Sequence, residues 1–357
     1  DEWVGKLLDR QDIDAVIIGT FDHVHSQIAV DACRAGKDVY VEKPLCHNLF
    51  EGRQMVAAAR KYKRIVQHGT QNRSSPNIME GIGKLKEGII GDLYMARGID
   101  YKIRGNLGRV TPSAAPEGLD WDQWLGPKPM RPYSQFWHGR WYWNLELSSG
   151  CFANQAIHEL DIIRWGLGLD EHPTEVTAVG GNFVHEDQRT SPTHVALTFR
   201  FGDPKPMLTY EHRSWYTNCE AGFGAEHQFV QPNFPVGTIF FGSKGYMILP
   251  DYSSYYTYFG PNREPGPSKS EEGHPMEDLP HFQNWVAAIR SRNHSDLHAD
   301  IEEGHKSMAL ALLARTSYQV GRPLRFDPAT ETVLDDEADA MLNRPDYREP
   351  YVVPKEV

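Results

Sequence analysis

The sequence predicts an α/β protein in which part of a doubly wound parallel sheet precedes an α+β domain with a large, mostly antiparallel open sheet. Two observations carry this prediction. Strand and helix patterns alternate with short connections from residue 1 to residue 70, which is typical of a parallel sheet. Beyond Gln71 the strand patterns mostly follow one another directly, which is typical of antiparallel pairing.

The first segment, residues 1–74, contains three strand patterns, at 15–18, 38–41 and 65–68. The run at 15–18 is short and apolar and is flanked by Asp14 and Gly19, as expected of a buried parallel strand. Helical spacing of apolar residues predicts helices over 2–9, 25–35 and 49–62, and Gly36 supplies a stop signal for the second helix.

The second segment, residues 75–325, begins with a helix over 78–87 and a strand over 94–101. A loop rich in Pro, Gly and Trp follows over 105–147, and a helix is predicted over 153–167. Strands are expected at 175–184, 193–201, 207–214, 236–241 and 245–249, with a loop at 261–273. Helices at 280–291 and 301–321 close the domain, and residues 326–357 are expected to form a polar tail.

Composition excludes several functional classes. The 357 residues include 37 Lys+Arg and 48 Asp+Glu, and the net charge of −11 argues against nucleic-acid binding, which needs a basic surface. No apolar window is long enough to span a bilayer. Four cysteines without a CxxC pair predict neither a zinc knuckle nor a disulfide scaffold. His23 and His25 lack an identifiable third ligand, so we predict no metal.

Polar residues follow all three strands of the first segment. The first strand leads into Gly19–His25, the second into Glu42-Lys43-Pro44, and the third into Gly69–Arg73. Ligands of open α/β sheets bind beyond the carboxyl ends of the strands, so these side chains are expected at one rim. Pro44 favours an extended conformation for Lys43, which would hold its ammonium group at the strand terminus.

A second group of polar residues lies near the helix predicted over 153–167. Asn154 and His158 are expected one turn apart, with Asp161 one turn further on the same side. A histidine beside a carboxylate can be held in one tautomer and can act as a proton donor or acceptor. The sequence therefore predicts that this helix forms a pocket wall.

With these motifs the sequence resembles the Gfo/Idh/MocA family of NAD(P)-dependent sugar oxidoreductases. The resemblance covers nearly the whole chain, and its most specific part is Glu-Lys-Pro after the second strand. The motifs are Ile13-Asp-Ala-Val-Ile-Ile-Gly-Thr, Asp22-His23-x-His25, Ala35-Gly-Lys-Asp-Val-Tyr-Val-Glu-Lys-Pro-Leu, His68-Gly-Thr-Gln-x-Arg73, His158-x-x-Asp161, His281-Phe-Gln-Asn-Trp, Ile289-Arg-Ser-Arg-x-His and Ala299-Asp-Ile-Glu-Glu-Gly-His.

The resemblance implies a Rossmann domain that binds NAD or NADP, and a second domain whose open sheet forms a homo-oligomer, a dimer or tetramer. Lys43 and His158 would flank the nicotinamide and the reacting carbinol, with Asp161 and Asn154 as their catalytic companions. The expected cofactor contacts are Thr20, Asp22, His23, His25, Glu42, Lys43 and Gln71. The expected substrate contacts are Arg73, Trp137, Arg140, Tyr142, Asn154, Gln155 and His158.

Two departures from the family pattern qualify these expectations. The Gly-rich fingerprint and the ribose-selecting residue of a complete Rossmann domain are absent from this sequence, which begins about three strands and two helices into such a domain. NAD and NADP are therefore not distinguished, and cytoplasmic and periplasmic locations stay open. Many members carry Asp where Asn154 stands; an amide cannot exchange a proton, although it can orient a sugar hydroxyl.

Three functional hypotheses follow. The first is a nicotinamide-dependent oxidoreductase acting on a sugar, polyol or related hydroxyl. The second is a redox-neutral glycoside hydrolase that oxidises, eliminates and reduces with a tightly held NAD; the aromatic-rich 105–147 segment suggests it, because such a loop could enclose a glycoside. The third is a non-catalytic sugar-binding or scaffold remnant. The aromatic rings at 137–143 are equally compatible with a domain-interface core.

Overall fold

The computed structural model describes residues 2–215, 236–270 and 278–357; Cys219 and residues 271–273 of the predicted 261–273 loop lie outside them. The smaller sheet has three parallel strands in the order β1-β2-β3: β1 (Ala15–Ile18), β2 (Asp38–Val41) and β3 (Val66–His68). Ile18 pairs with Val41, and Val41 pairs with His68. The three carboxyl ends are therefore level and form a single rim.

Helices α1 (Glu2–Leu8), α2 (Asp22–Arg34) and α3 (Leu49–Lys61) accompany this sheet. The α3 helix begins at Asn48, whose side chain accepts a hydrogen bond from the backbone N–H of Glu51 and so caps the helix. All four residues of β2 are buried, as expected of a central parallel strand covered on both faces.

The larger sheet has ten strands in the order β11-β10-β9-β8-β4-β7-β6-β5-β12-β13. Only β4 and β7 pair in parallel; the other described pairs are antiparallel. The strands are β4 (Leu93–Tyr101), β5 (Glu175–Gly181), β6 (His194–Arg200), β7 (Met207–Arg213), β8 (Val236–Gly242), β9 (Gly245–Leu249), β10 (Tyr255–Phe259), β11 (Glu264–Lys269), β12 (Leu324–Asp327) and β13 (Thr332–Val333).

Seven further helices complete the described elements. They are α4 (Pro76–Lys86), α5 (Trp121–Leu125), α6 (Gln135–Gly139), α7 (Ala156–Leu167), α8 (Leu279–Ser291), α9 (Ile301–Val320) and α10 (Asp336–Asn343). None of the described helices has the length and apolar character needed to cross a bilayer.

The α7 helix lies close against β4 because glycine removes a side chain from the contact. A Cβ placed on Gly98 of β4 would lie 2.9 Å from the Tyr210 ring, 3.0 Å from the Glu159 Cβ and 3.2 Å from Ile163. The same pattern recurs at Gly166, where a Cβ would fall within 2.5 Å of Phe240. This close packing fixes the helix that carries His158 on the face of the large sheet.

These elements confirm the predicted fold class and correct several details. Strands β10 and β11 lie in and beside the region predicted as a loop; the prolines of β11 obscured it, and they are tolerated because β11 is an edge strand. The polar tail contains β13 and α10 and part of β12, a strand of the large sheet in which Leu324 and Phe326 are buried. The division at residues 74 and 325 stays a prediction.

Candidate active site

The rim of the small sheet is built by side chains that follow β2 and β3. Gln71 donates from its Nε2 to the Tyr40 hydroxyl and to Glu42 Oε1, both at 3.1 Å. Glu42 Oε2 accepts from the backbone N–H of Lys43 at 3.1 Å. Between the two strand ends, Gly69 leaves room for Glu42, since a Cβ there would lie 2.9 Å from Glu42 Oε2. The predicted residues Glu42 and Gln71 therefore share one network.

His25 joins the ends of β1 and β2. Its Nδ1 lies 2.9 Å from the Pro44 carbonyl oxygen, and its Nε2 lies 3.3 Å from the Thr20 carbonyl oxygen. Burial lowers the pKa of His25. The ring therefore braces the strand ends from within the protein, so the structure gives this predicted cofactor contact a positioning role.

Lys43 links the rim to the segment before α7. Its Nζ donates to the Asn154 carbonyl oxygen at 2.9 Å and lies 3.4 Å from Asn154 Oδ1. Burial lowers the pKa of Lys43, and the negative charges of Asp22 and Glu42 oppose that shift. Asn154 precedes α7, which begins at Ala156, and therefore does not lie on the helix as predicted. The segment from Gly150 to Phe152 forms a separate 3₁₀ turn before it.

His158 is buried and uncharged at neutral pH. Burial lowers its pKa to about 3, and the nearby charge of Lys43 acts in the same direction. Neither ring nitrogen has a hydrogen-bond partner among the described residues, and Nδ1 is fully buried. The ring lies 5.6 Å from the Tyr252 ring, centroid to centroid. A neutral imidazole with an unused nitrogen can accept a proton.

Asp161 has a different partner from the predicted one. Its two carboxylate oxygens accept hydrogen bonds from Arg73, at 2.8 and 2.9 Å, and Oδ1 also accepts from the Ser307 hydroxyl at 2.6 Å. The Arg73 guanidinium in turn lies 5.4 Å from the centre of the Trp165 ring. Both residues are buried and committed to this pair, so neither the catalytic role of Asp161 nor the substrate contact of Arg73 gains support.

Gln155, a predicted substrate contact, lies beside His158 in a group of polar side chains whose other members, Lys102, Glu159 and Tyr252, were not predicted; of the four, only Glu159 is buried. Tyr252 donates to Glu159 Oε1 at 2.6 Å, and Gln155 donates to the same oxygen at 3.1 Å. Gln155 Oε1 accepts from Lys102. Burial raises the pKa of Glu159 to about 8, so this carboxyl group is largely protonated at neutral pH. Glu159 directly follows His158 in the sequence, but its burial depends on the close contact of α7 with Gly98.

Asp22 lies at the start of α2, where its carboxyl group interacts with the charge of Lys43. The Ser148 hydroxyl donates to its Oδ2 at 2.6 Å, while its Oδ1 is buried without a partner. Burial raises the pKa of Asp22 to about 6, and the charge of Lys43 acts against that increase.

His23, a predicted cofactor contact, lies inside the protein. Its Nδ1 and Nε2 are each 3.1 Å from a backbone carbonyl oxygen, those of Leu147 and Trp124. The ring stacks near Phe21 with centroids 5.8 Å apart. Because both ring edges face protein backbone, His23 fastens the loop after β1 to the 105–147 segment and is not free to contact a cofactor.

The aromatic side chains of the 105–147 segment form mainly an interface core. Trp124, Leu125 and Leu147 are buried together, with Trp137 packed against them. The Arg131 guanidinium also stacks 4.2 Å from the Trp137 ring centre. The side chains of Phe21, Leu119, Trp121 and Trp141 complete the cluster. The domain-interface interpretation of these rings therefore fits the structure better than a sugar-facing wall.

Two other predicted substrate contacts have separate surroundings. Arg140 is exposed and donates to the Leu107 carbonyl oxygen. The Tyr142 hydroxyl is buried without a partner, and the Arg104 guanidinium lies 5.8 Å from its ring centre. Of these two residues, Tyr142 is the one with a buried polar atom that has no hydrogen-bond partner.

A group with the composition of a metal site lies elsewhere in the described residues. Ligand atoms of His172, His305 and Glu331 lie within 4.8 Å of one another. The sequence analysis missed this cluster because its members are far apart in the chain. Glu331 also accepts a hydrogen bond from Arg53 Nε at 3.1 Å. Its negative charge is thus already balanced by a guanidinium, and we assign no metal here.

Comparison with known proteins agrees with this architecture. Residues 2–70 match the model of the oxidoreductase family with an NAD-binding Rossmann fold. Residues 120–246 match the GFO/IDH/MocA C-terminal domain, and residues 269–353 match the family's C-terminal alpha/beta domain.

Curated relatives include two inositol dehydrogenases. The chain is 24% identical over 182 residues to the myo-inositol 2-dehydrogenase of Thermotoga maritima, covering 51% of this chain and 44% of the relative. It is 29% identical over 208 residues to the scyllo-inositol 2-dehydrogenase (NAD(+)) of Bacillus subtilis, covering 57% and 46%. The matched part thus spans less than half the length of these relatives.

Solved structures share the fold at low sequence identity. Levoglucosan dehydrogenase, in complex with NADH and levoglucosan, superposes with a TM-score of 0.66 at 17% identity, covering 90% of this chain and 82% of that one. Aldose-aldose oxidoreductase from Caulobacter crescentus gives 0.65 at 17%, covering 91% and 83%. The three domain matches and the shared fold together establish that the chain belongs to the Gfo/Idh/MocA family of oxidoreductases.

Proposed function

We propose that this chain carries the catalytic residues of a nicotinamide-dependent dehydrogenase acting on a CH–OH group of a sugar or cyclic polyol. One observation carries the proposal: Lys43 Nζ contacts Asn154, four residues before His158, and His158 Nδ1 is buried without a hydrogen-bond partner. Lysine and imidazole are the groups expected to move a proton at a carbinol oxygen. The inositol dehydrogenases among the relatives support a cyclic polyol as substrate.

The rim of the small sheet fits the nicotinamide half of a dinucleotide. Buried polar atoms without partners occur there at Thr20 Oγ1, Asp22 Oδ1 and Gln71 Oε1. Such atoms cost free energy unless a ligand or water satisfies them. Gly69 leaves room for the Glu42 carboxylate, and these residues lie at the strand ends, where α/β sheets bind ligands. When bound, the nicotinamide would accept a hydride from the carbinol carbon.

Lys43 and His158 divide the proton chemistry between them. The Lys43 ammonium, held by the Asn154 carbonyl oxygen, polarises the carbinol oxygen. His158 is uncharged at neutral pH and accepts the hydroxyl proton at a ring nitrogen as the hydride leaves. In the reverse direction the protonated imidazole returns the proton to the carbonyl oxygen.

Side chains around this pair suit a substrate with several hydroxyl groups. The Asn154 side-chain amide lies beside Lys43, and the next residue, Gln155, is hydrogen-bonded to Lys102 and Glu159 beside α7. Amides and ammonium groups donate to hydroxyl oxygens, and the amide oxygens accept from hydroxyl groups. We propose that these three residues orient the ring so that one carbinol carbon faces the nicotinamide.

The test is steady-state turnover with NAD and NADP on a panel of inositols and pyranoses. Lys43→Met and His158→Gln should each lower kcat by roughly 10²–10⁴-fold, because a positioned proton transfer contributes that much. His294→Gln is the matched control, since that histidine lies on the surface. Turnover by both site variants at the control's rate would end the assignment.

The two other hypotheses give different results in the same assay. A redox-neutral glycosidase releases an aglycone without accumulating reduced nicotinamide. The aromatic segment 105–147 gives this hypothesis less support than expected, because its rings pack into the interface core. A non-catalytic remnant binds no nicotinamide at all. Dehydrogenase activity requires that reduced nicotinamide and a ketone form in equal amounts.

We also propose that a second copy of this chain covers the open face of the large sheet. Buried and accessible residues alternate along β6, and Val179 of β5 and Met207 of β7 are exposed apolar side chains. Val179→Lys would place a charge in the proposed interface. We expect a dimer or tetramer by light scattering for the wild type and a smaller species for this variant; a monomeric wild type would contradict the proposal.

A further inference from the structure

A cavity lies away from the rim, between the loop after β2 and the C-terminal segment. It has a volume of about 280 Å³, and its walls include His47, Lys128 and Arg315. Glu51 and Tyr347 also line it. Neither Lys43 nor His158 borders this cavity, so it is separate from the candidate active site.

Two cations contact one histidine at this cavity. Lys128 Nζ lies 2.9 Å from His47 Nδ1, and Arg315 Nη1 lies 3.2 Å from His47 Nε2. An ammonium group can only donate, so Nδ1 is an acceptor and the imidazole proton resides on Nε2, which donates to the Leu145 carbonyl oxygen at 3.1 Å. Burial and both cations lower the pKa of His47 well below its ordinary value. The ring is therefore neutral and compensates neither charge.

Neither cation forms an ion pair with a carboxylate within the parts of the chain that the structure describes. Arg315 donates to the His47 carbonyl oxygen at 2.8 Å and to the Ser149 hydroxyl at 3.1 Å, and its Nε is buried without a partner. The Lys128 ammonium group has the His47 ring as its single hydrogen-bond partner in the same parts. Burial lowers the pKa of Lys128 to about 8 and that of Arg315 to about 10.

Glu51 is the buried acid of this cavity, and uncharged groups donate hydrogen bonds to both of its carboxylate oxygens. Its Oε2 accepts from the Ser26 hydroxyl and the His47 backbone N–H, at 3.1 and 2.7 Å. Its Oε1 accepts from Asn48 Nδ2 and the Tyr347 hydroxyl, at 2.9 and 3.1 Å. Four donors saturate this carboxylate, so it cannot also pair directly with a cation.

The remaining acids near the cavity have other partners or lie in solvent. Glu146 is exposed and pairs with Arg131 at 2.7 Å, and Asp346 is exposed. Asp22 accepts a hydrogen bond from the Ser148 hydroxyl, and its charge interacts with that of Lys43. A buried Arg315 and a half-buried Lys128 therefore border the cavity without a contacting anion, and the Glu51 charge acts on both only without direct contact. A bound anion would stabilise this arrangement.

We propose that this cavity binds a small oxyanion, the phosphate or carboxylate group of a metabolite. Its oxygens would accept from Lys128 Nζ and the unused Arg315 Nε, and charge-assisted bonds of this kind are strong. The cavity has room for a small molecule that bears the anionic group and further polar atoms. This inference is independent of the proposed dehydrogenase activity.

The experiment measures binding of inorganic phosphate and of citrate by isothermal titration calorimetry, at constant ionic strength set with chloride. Wild type is compared with Lys128→Met, and with Lys86→Met as a control that removes an exposed charge on α4. We expect saturable binding of at least one anion in wild type and control, and roughly 10–100-fold weaker binding in Lys128→Met. Phosphate binding alone identifies a phosphate ligand, and citrate binding alone a carboxylate ligand.

Three outcomes overturn the proposal: no saturable binding of either anion, equal binding by Lys128→Met, or binding lost in Lys43→Met and retained in Lys128→Met, which would assign the anion to the rim. A second measurement covers the case in which Lys128→Met does not fold. Anomalous diffraction from wild-type crystals soaked in selenate should show the anion within hydrogen-bond distance of Lys128 Nζ. Selenate elsewhere, with this cavity empty, contradicts the inference.

Discussion

The Arg73 guanidinium donates two parallel hydrogen bonds to the Asp161 carboxylate, from Nε to Oδ2 at 2.8 Å and from Nη2 to Oδ1 at 2.9 Å. This buried pair joins the segment after β3 to α7, the helix that carries His158. Although burial alone would raise the pKa of Asp161, the Arg73 charge holds it below its ordinary value. The pair therefore fixes the distance between the rim and the helix.

Asp161→Asn should lower the free energy of unfolding and leave the pH profile of kcat unchanged. The substitution leaves the Arg73 charge buried with only the more distant Glu303 carboxylate, at 3.3 Å, as partner. Breaking a buried ion pair costs about 3–5 kcal/mol, which urea unfolding would measure. If Asp161 instead tuned His158 directly, the variant would keep its stability and shift the pH profile of kcat, and that result would restore the catalytic role.

Glu159 should make the protein less stable as the pH rises. Burial raises its folded-state pKa to about 8, above the ordinary value of 4.5, so the folded protein holds a proton that the unfolded chain has released. The stabilisation is complete below pH 4.5 and is lost as the pH rises to about 8. One pKa unit corresponds to about 1.4 kcal/mol, so the loss is on the order of 5 kcal/mol.

Unfolding free energies of wild type and Glu159→Gln, measured across this range, isolate the effect. The amide keeps the neutral form at every pH, so the difference between the two proteins should grow towards alkaline pH in favour of the variant. Parallel pH dependences would show that Glu159 titrates normally.

His23→Gln tests whether this histidine contacts the cofactor. Its ring nitrogens face the carbonyl oxygens of Leu147 and Trp124, and a buried group left without its partner costs about 1–3 kcal/mol. We expect lower thermal stability with an unchanged dissociation constant for the nicotinamide cofactor. Weaker cofactor binding at unchanged stability would return His23 to the site.

Gly69→Ala tests whether the position of Glu42 at the rim affects cofactor binding. The new Cβ would lie 2.9 Å from Glu42 Oε2 and 3.2 Å from the Glu42 Cα, so Glu42 and the Gln71 that bonds it must move. Cofactor affinity measured by fluorescence titration should fall. Gly83→Ala, with open space around its Cβ, is the control and should bind like wild type.

Much of this architecture could be predicted because it depends on local pattern. The strands at 15–18 and 38–41 match the structure to the residue, since short apolar runs bounded by polar residues specify buried parallel strands. Lys43, Asn154 and His158 were predicted as site residues from the strand-end and helix motifs; the structure brings Lys43 into contact with Asn154, and their catalytic roles stay predictions.

What could not be predicted depends on contacts between distant segments. The pairing of Asp161 with Arg73 joins residues 88 positions apart, and helical spacing alone favoured His158 as its partner. Glu159 is buried because Gly98 of β4 admits α7, which no pattern within the helix reveals. Strand β11 was missed because its prolines are tolerated only at a sheet edge, a position that the fold decides.

The most direct measurement follows deuterium from substrate to cofactor. The protein would be incubated with NAD or NADP and a cyclic polyol deuterated at its carbinol carbons, and the nicotinamide would be analysed by mass spectrometry. The proposed dehydrogenase activity predicts one deuterium on the reduced nicotinamide, an equal amount of ketone, and loss of both products in His158→Gln. Bound nicotinamide that stays oxidised while a glycoside is cleaved, or deuterium transfer at the wild-type rate in His158→Gln, would contradict it.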